Sequence, residues 1–297
     1  GIYCTNINLK YLLGLINTKL LNYFFNLLNP TVSFQVGDAN NVPIKIANAP
    51  ISEKIISFVN LIMYLKLQNY KTDILSEFYS VDGIHLLNYG DCKKSIVDAY
   101  RNYFVLYNEY IIKLEELQYF IDELIFELYN VKENDKKEVL DKFGYSSIEY
   151  TIIENYMIET NDIRYSREDL LNIKTESETI ESIIIDCKDA LEFLKKYYEG
   201  TEEVLPSQRL KSTYIALTDK KMNETIKKIK ILCCKKGMDI IKISKEVKIH
   251  PRSVLAIMEQ NNLLIEEDLK EAVKRYLQTL ARKAFDEDKD GIVLLPD

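Results

Sequence analysis

Between Leu9 and Leu28 the apolar residues Leu9, Leu12, Leu13, Ile16, Leu20, Phe24 and Leu27 recur at helical spacing. Asn29-Pro30 ends that pattern, because proline disfavours the α conformation in the residue before it. The period then drops to two. Val32, Phe34 and Val36 alternate with Thr31, Ser33 and Gln35, which predicts a half-buried strand. Gly37-Asp38 turns the chain, and Pro43 and Pro50 keep the next stretch extended. A further helix is predicted from Ile51, with Ile55, Phe58, Val59, Ile62 and Met63 on one face.

The middle of the chain reads as helical throughout. Ile96, Tyr100, Tyr103, Tyr107, Tyr110, Leu114, Leu117, Ile121, Leu124 and Leu128 alternate steps of four and three. That is a heptad seam, about 50 Å of helix at about 1.5 Å per residue. A second run, Ile184, Cys187, Leu191, Leu194 and Tyr198, is expected to pack against it as an antiparallel hairpin. The tyrosines suit either a base-stacking platform or a core stripe. At helical spacing, core is the better reading.

Gly200–Ser207, with Pro206 inside it, reads as a linker. After it come a basic helix around Lys220–Lys236, a break at Gly237, and two shorter helices. The expected fold is therefore mainly α: a small α/β element over 1–50, a long coiled-coil-like helical hairpin over 51–200, and a basic helical module over 201–297. Nine glycines and six prolines in 297 residues leave little punctuation for a many-stranded sheet.

Charge is distributed very unevenly along the chain. The net charge of −7 argues against nucleic acid, but it averages over a strong asymmetry. Residues 1–205 hold 20 basic and 32 acidic side chains, whereas residues 206–252 hold 13 basic and 4 acidic ones. The latter segment alone would attract phosphate. Five cysteines, odd in number and without a C-x-x-C pair, suggest neither a disulfide framework nor a zinc site, and a reducing cytoplasm is the expected compartment. No apolar run approaches the roughly 18 residues that span a bilayer, so no membrane partner is expected. The start at Gly1 suggests an excised part of a longer protein.

Motifs for catalysis are missing. The sequence has no G-x-G and no G-x-x-x-x-G-K, hence no glycine-rich cradle for a nucleotide or S-adenosylmethionine. It has no Pro-Pro pair, so an Asn-Pro-Pro-Tyr type of loop for a flipped adenine is absent. A His-dependent triad would need His85 or His250, and neither has suggestive neighbours. Glu246-Val-Lys248 has the acid-x-Lys form of some nuclease sites, but it falls within a predicted helix and reads as a salt-bridged surface.

Residues 11–44 carry the most specific pattern: a Leu-rich helix with Leu15, Asn17 and Lys19, then Asn29-Pro30-Thr31, then Phe34-Gln35-Val36-Gly37-Asp38, closing on Pro43-Ile44. This resembles the segment that ends the target-recognition region of bacterial adenine-specific DNA methyltransferases. These are the PglX-like enzymes of BREX phage defence and the fused restriction–modification methylases. Tyr70-Lys71-Thr72-Asp73, Glu77-Phe78-Tyr79 and the helix through Glu115–Tyr129 extend the likeness more weakly. The resemblance implies that a catalytic half precedes Gly1 in the same polypeptide and is the partner of this chain. S-adenosylmethionine would bind there, and no cofactor here. It also implies that Thr31, Ser33 and Gln35, on one strand face, either reach double-stranded DNA or are solvated.

A second pattern lies at Ile240–Gln260, where Ile243, Val247, Ile249, Val254 and Ile257 take inward positions of two short helices around a turn. That spacing resembles the helix-turn-helix of bacterial regulators. Ser244 stands at the small close-packing position, Lys248 at the turn position usually given to glycine, and Pro251 in the first turn of the second helix. Arg252, Ser253, Leu255, Ala256 and Glu259 are then expected to face outward. Candidate DNA contacts are Lys220, Lys221, Lys227, Lys228, Lys230, Lys235, Lys236, Ser244, Lys248, Arg252 and Ser253. Asp286, Asp288, Asp290 and Gly291 match the first half of an EF-hand loop, but Pro296 and Asp297 spoil its exit, and an acidic surface turn is expected instead.

These readings converge on a DNA-binding region of an adenine methyltransferase. Two rivals stand beside it: a helix-turn-helix regulator, and a helical interaction scaffold that uses the Tyr-rich seam and binds no nucleic acid.

Overall fold

The computed structural model describes residues 7–29, 37, 41–71, 96–153, 189–190, 192–194, 196 and 214–287. The fold is mainly α-helical, as its periodicity predicts. The predicted strand over 32–36 and the arm from Ile184 to Tyr198, apart from a few helical positions, lie outside the described residues. The chain forms two compact units, neither continuous in sequence. One comprises Gly1–Tyr64, Lys113–Glu149 and Glu159–Lys211; the other comprises Leu65–Ile112, Tyr150–Ile158 and Ser212–Asp297.

In the first unit, α1 (Leu9–Ile16) and α2 (Lys19–Leu28) meet at a capped break. Thr18 caps α2 by accepting from Leu21 N–H, while its hydroxyl donates to the Leu15 carbonyl at 2.7 Å. α3 (Ala49–Lys71) approaches α1 closely at Gly14, where a Cβ would come within 2.8 Å of Ile55 and 2.9 Å of Val59. The extended segment before α3 is riveted by phenols. Tyr11 donates to the Lys45 carbonyl at 2.8 Å, and Tyr129 donates to the Pro43 carbonyl at 2.6 Å.

The long helix α4 (Ile96–Leu128) has the bounds that the heptad run predicts. Its packing differs from a two-helix seam, because every residue from Tyr119 to Phe126 is buried. Polar residues on its far side are therefore buried too, and they find partners. Lys19 donates its backbone N–H to Asp122 at 2.9 Å and holds its ammonium 3.4 Å from the same carboxylate. Glu123 forms a buried ion pair with Lys136 of α5 (Glu133–Phe143). Burial raises the Asp122 carboxyl to about 6, against the opposing pull of Lys19. Phe193 packs on Phe58 and Phe120 with ring centroids 4.9 and 5.0 Å away.

In the second unit, β1 (Ile152–Ile153) pairs in parallel with β2 (Tyr214–Ile215). Four helices follow: α6 (Asp219–Cys233), α7 (Ile240–Val247), α8 (Pro251–Gln260) and α9 (Glu266–Glu287). Their core joins Ile229, Leu232, Ile240, Ile243, Val254, Ile257 and Ile265 with Phe104 and Ile112 of α4. The acidic 286–291 segment begins inside α9, and residues beyond Glu287 lie outside the described ones. Among the described residues, no helix is long and apolar enough to cross a membrane.

Candidate nucleic-acid interface

α6 is amphipathic in the way its sequence requires. Ile229, Leu232 and Cys233 are buried with Met222 and Ile226 packed beside them, so the intervening residues must face outward. Lys220, Lys221, Lys227, Lys228 and Lys230 are all exposed, as are Lys235 and Lys236 just beyond its end. Lys242, Lys245 and Lys248 extend the exposed charge along α7 and its turn. Ile231, 63% exposed, sits amid the lysines. Residues 219–248 hold ten lysines and four acidic residues, so this surface is strongly positive on a chain that is negative as a whole.

Not every ammonium is equally available. Lys228 donates from Nζ to the Glu246 carbonyl at 2.6 Å, and Lys242 donates to the Gly237 carbonyl at 2.7 Å while pairing with Asp239 at 3.0 Å. These two bonds close the ends of α7 and its preceding loop. The sequence offers no signal for them, because they join residues by shape rather than by pattern.

The α7–α8 pair has the predicted boundaries and the predicted inward residues. Asp239 caps α7 by accepting from Lys242 N–H at 2.8 Å. Ser244 is buried, and its hydroxyl donates to the Ile249 carbonyl across the turn. Lys248 adopts the left-handed region at φ 58° and ψ 42°.

The outward face assigned to α8 is not outward. Arg252, Ser253, Leu255 and Ala256 are all buried, and every residue from Pro251 to Met258 is buried; only Glu259 and Gln260 emerge. Besides α6 and α7, a segment distant in sequence covers its first turn. Thr151 bridges to Ile249, the His250 N–H donates to the Thr151 carbonyl at 2.8 Å, and the Ile153 N–H donates to Ser253 Oγ at 3.0 Å. Ser244, Arg252 and Ser253 thus act inside the fold. Thr31, Ser33 and Gln35 lie outside the described residues.

His250, which the sequence leaves without a role, is the N-cap of α8. Its Nδ1 accepts from the Arg252 N–H at 3.2 Å. Burial, with the Arg252 charge adding to it, lowers the imidazole to about 3. A residue just before Pro251 at the first helical position was a capping signal that could have been read. Burial pushes the Cys233 thiol up to about 12, which removes it as a nucleophile, while Cys234 is exposed. Tyr110 and Tyr119 of α4 are buried, so neither offers a ring for base stacking. No group of His, Cys, Asp and Glu that could hold a metal occurs among the described residues.

No protein-family model, curated protein or solved structure matches this chain.

Proposed function

We propose that this chain holds duplex DNA electrostatically for a site-specific adenine methyltransferase whose base-flipping and S-adenosylmethionine chemistry reside in another part of the protein. The observation that carries the DNA-holding half of this reading is the lysine surface of α6, exposed along the helix and continued by Lys235 and Lys236. Clustered ammonium groups bind the phosphate backbone without reading sequence. The methyltransferase half rests on the likeness of residues 11–44 to target-recognition segments.

Direct base readout by α8 would require its buried N-terminal turn to leave β1, breaking the hydrogen bonds from Ile153 to Ser253 and from His250 to Thr151. Phosphate contact by α6 requires no rearrangement. Charge, rather than a recognition helix, therefore supplies the affinity in this reading.

The test is fluorescence anisotropy with labelled duplexes of unrelated sequence. Lys220→Glu, Lys227→Glu and Lys230→Glu together should weaken every duplex by the same factor and flatten the salt dependence. Unchanged affinity would mean that this face is only solvated.

A further inference from the structure

Among the described residues, the positive-φ positions are Asn130, Gly144, Gly237, Asn262 and Lys248. Glycine lacks the Cβ that makes this region costly, and asparagine tolerates it. Lys248 is the exception, a long β-methylene-bearing side chain placed where glycine or asparagine would fold more easily. It is also exposed, so no packing within the fold explains the choice.

The backbone around it is firmly fixed. Lys248 N–H and Ile249 N–H both donate to the Ser244 carbonyl, at 2.8 and 3.3 Å, and the Ser244 hydroxyl returns to the Ile249 carbonyl. An α7 C-terminus would ordinarily repel an anion, because its last carbonyls carry the negative end of the helix dipole. Here the Lys228 ammonium lies on the Glu246 carbonyl, which has lost its own helical donor because the His250 N–H is given to Thr151. One carbonyl of that negative end is thereby capped by a cation, and Lys245 stands exposed one turn before Lys248.

We propose that Lys248 is a phosphate ligand at the α7–α8 turn, and that Lys228, by capping the Glu246 carbonyl, is a positioning residue beside it. This rests on the DNA-holding reading above and assigns one contact within it. The ligand is a backbone phosphate, bound as a point charge and without base specificity.

The experiment uses the full chain with a labelled duplex at several salt concentrations, together with thermal melts. Lys248→Gly should melt at or above the parent temperature, because glycine relieves the left-handed backbone. Its DNA affinity should nevertheless fall several-fold, and the slope of log K against log salt should become shallower by about 0.9, the value for one phosphate contact. Lys248→Arg should keep the slope, and Lys248→Asn should repeat the glycine result without added chain freedom. Lys228→Met should weaken binding in the parent but not in the Lys248→Gly background. If Lys248→Gly leaves affinity and slope unchanged while Lys227→Glu with Lys230→Glu weakens binding, this assignment is wrong and the DNA-holding reading stands. If the parent binds no duplex, both fall.

Discussion

Acid should weaken the second unit through His250, and replacing that one residue should remove the effect. His250 is fully buried, caps α8 through Nδ1, and titrates near 3 in the fold, against an ordinary value of 6.5. Protonation would convert the accepting Nδ1 into a donor and set a second buried cation beside Arg252. As pH falls below 6.5 the unfolded chain takes up a proton that the folded chain refuses. The stability tied to neutral imidazole is complete above 6.5 and shrinks about tenfold in the folding equilibrium constant per pH unit down to about 3. Between pH 6.5 and 4.5 that amounts to about 2 kcal/mol, a large part of the roughly 5–15 kcal/mol a domain has in hand. Asp122 and Asp268, both raised to about 6 by burial, act in the opposite sense. Between pH 6 and 3.8 the folded chain binds their protons before the unfolded chain does, so the parent profile alone blends the two effects. The assay is therefore a difference. Urea denaturation of the parent and of His250→Asn, whose amide oxygen can still cap, is compared at pH 7, 6, 5 and 4. The variant should start less stable at pH 7, and the gap should close as pH falls. Parallel curves across this range would refute the account of His250.

Ile257 is fully buried in the second unit, so Ile257→Ala should cost about 2–5 kcal/mol and lower the melting temperature visibly. Gly14→Ala should destabilise despite alanine's better helix propensity. The new methyl meets Ile55 and Val59 below 3 Å, and overpacking of this kind costs about 1–3 kcal/mol, against a gain of about 1 kcal/mol. A more stable Gly14→Ala would show that α1 and α3 can move apart freely. Calorimetric titration of the chain with S-adenosylmethionine should give no heat of binding, and specific micromolar binding would overturn the division of labour proposed here.

Local pattern carried the helices well, because burial on one face imposes a period that the sequence must display. The ends of α4, α7 and α8 fall where the heptad run, the Ile240–Gln260 pattern and Pro251 place them. What escaped was set by partners outside the helix concerned, two of them about a hundred residues away. Helical spacing placed Arg252 and Ser253 outward, yet Ile153 reaches Ser253 from 100 positions earlier in the chain. Asp122 and Glu123 likewise look like a solvated face of α4 until Lys19 and Lys136 are brought to them. Two units assembled from interleaved segments of chain have no linear signature. The lysine face was legible because it needs no partner: exposed charge on an amphipathic helix follows from its own buried stripe.

If the α6 surface grips duplex DNA by charge, the dissociation constant of the full chain for two duplexes of unrelated sequence should rise steeply between about 50 and 200 mM salt, the range where counterion release dominates. Three or more lysine–phosphate contacts predict a log–log slope of about −3 or steeper, since each contact contributes about −0.9, and the slope should be the same for both duplexes. No binding at the lowest salt, or binding with a slope near zero, would mean that the α6 lysines hold no phosphate.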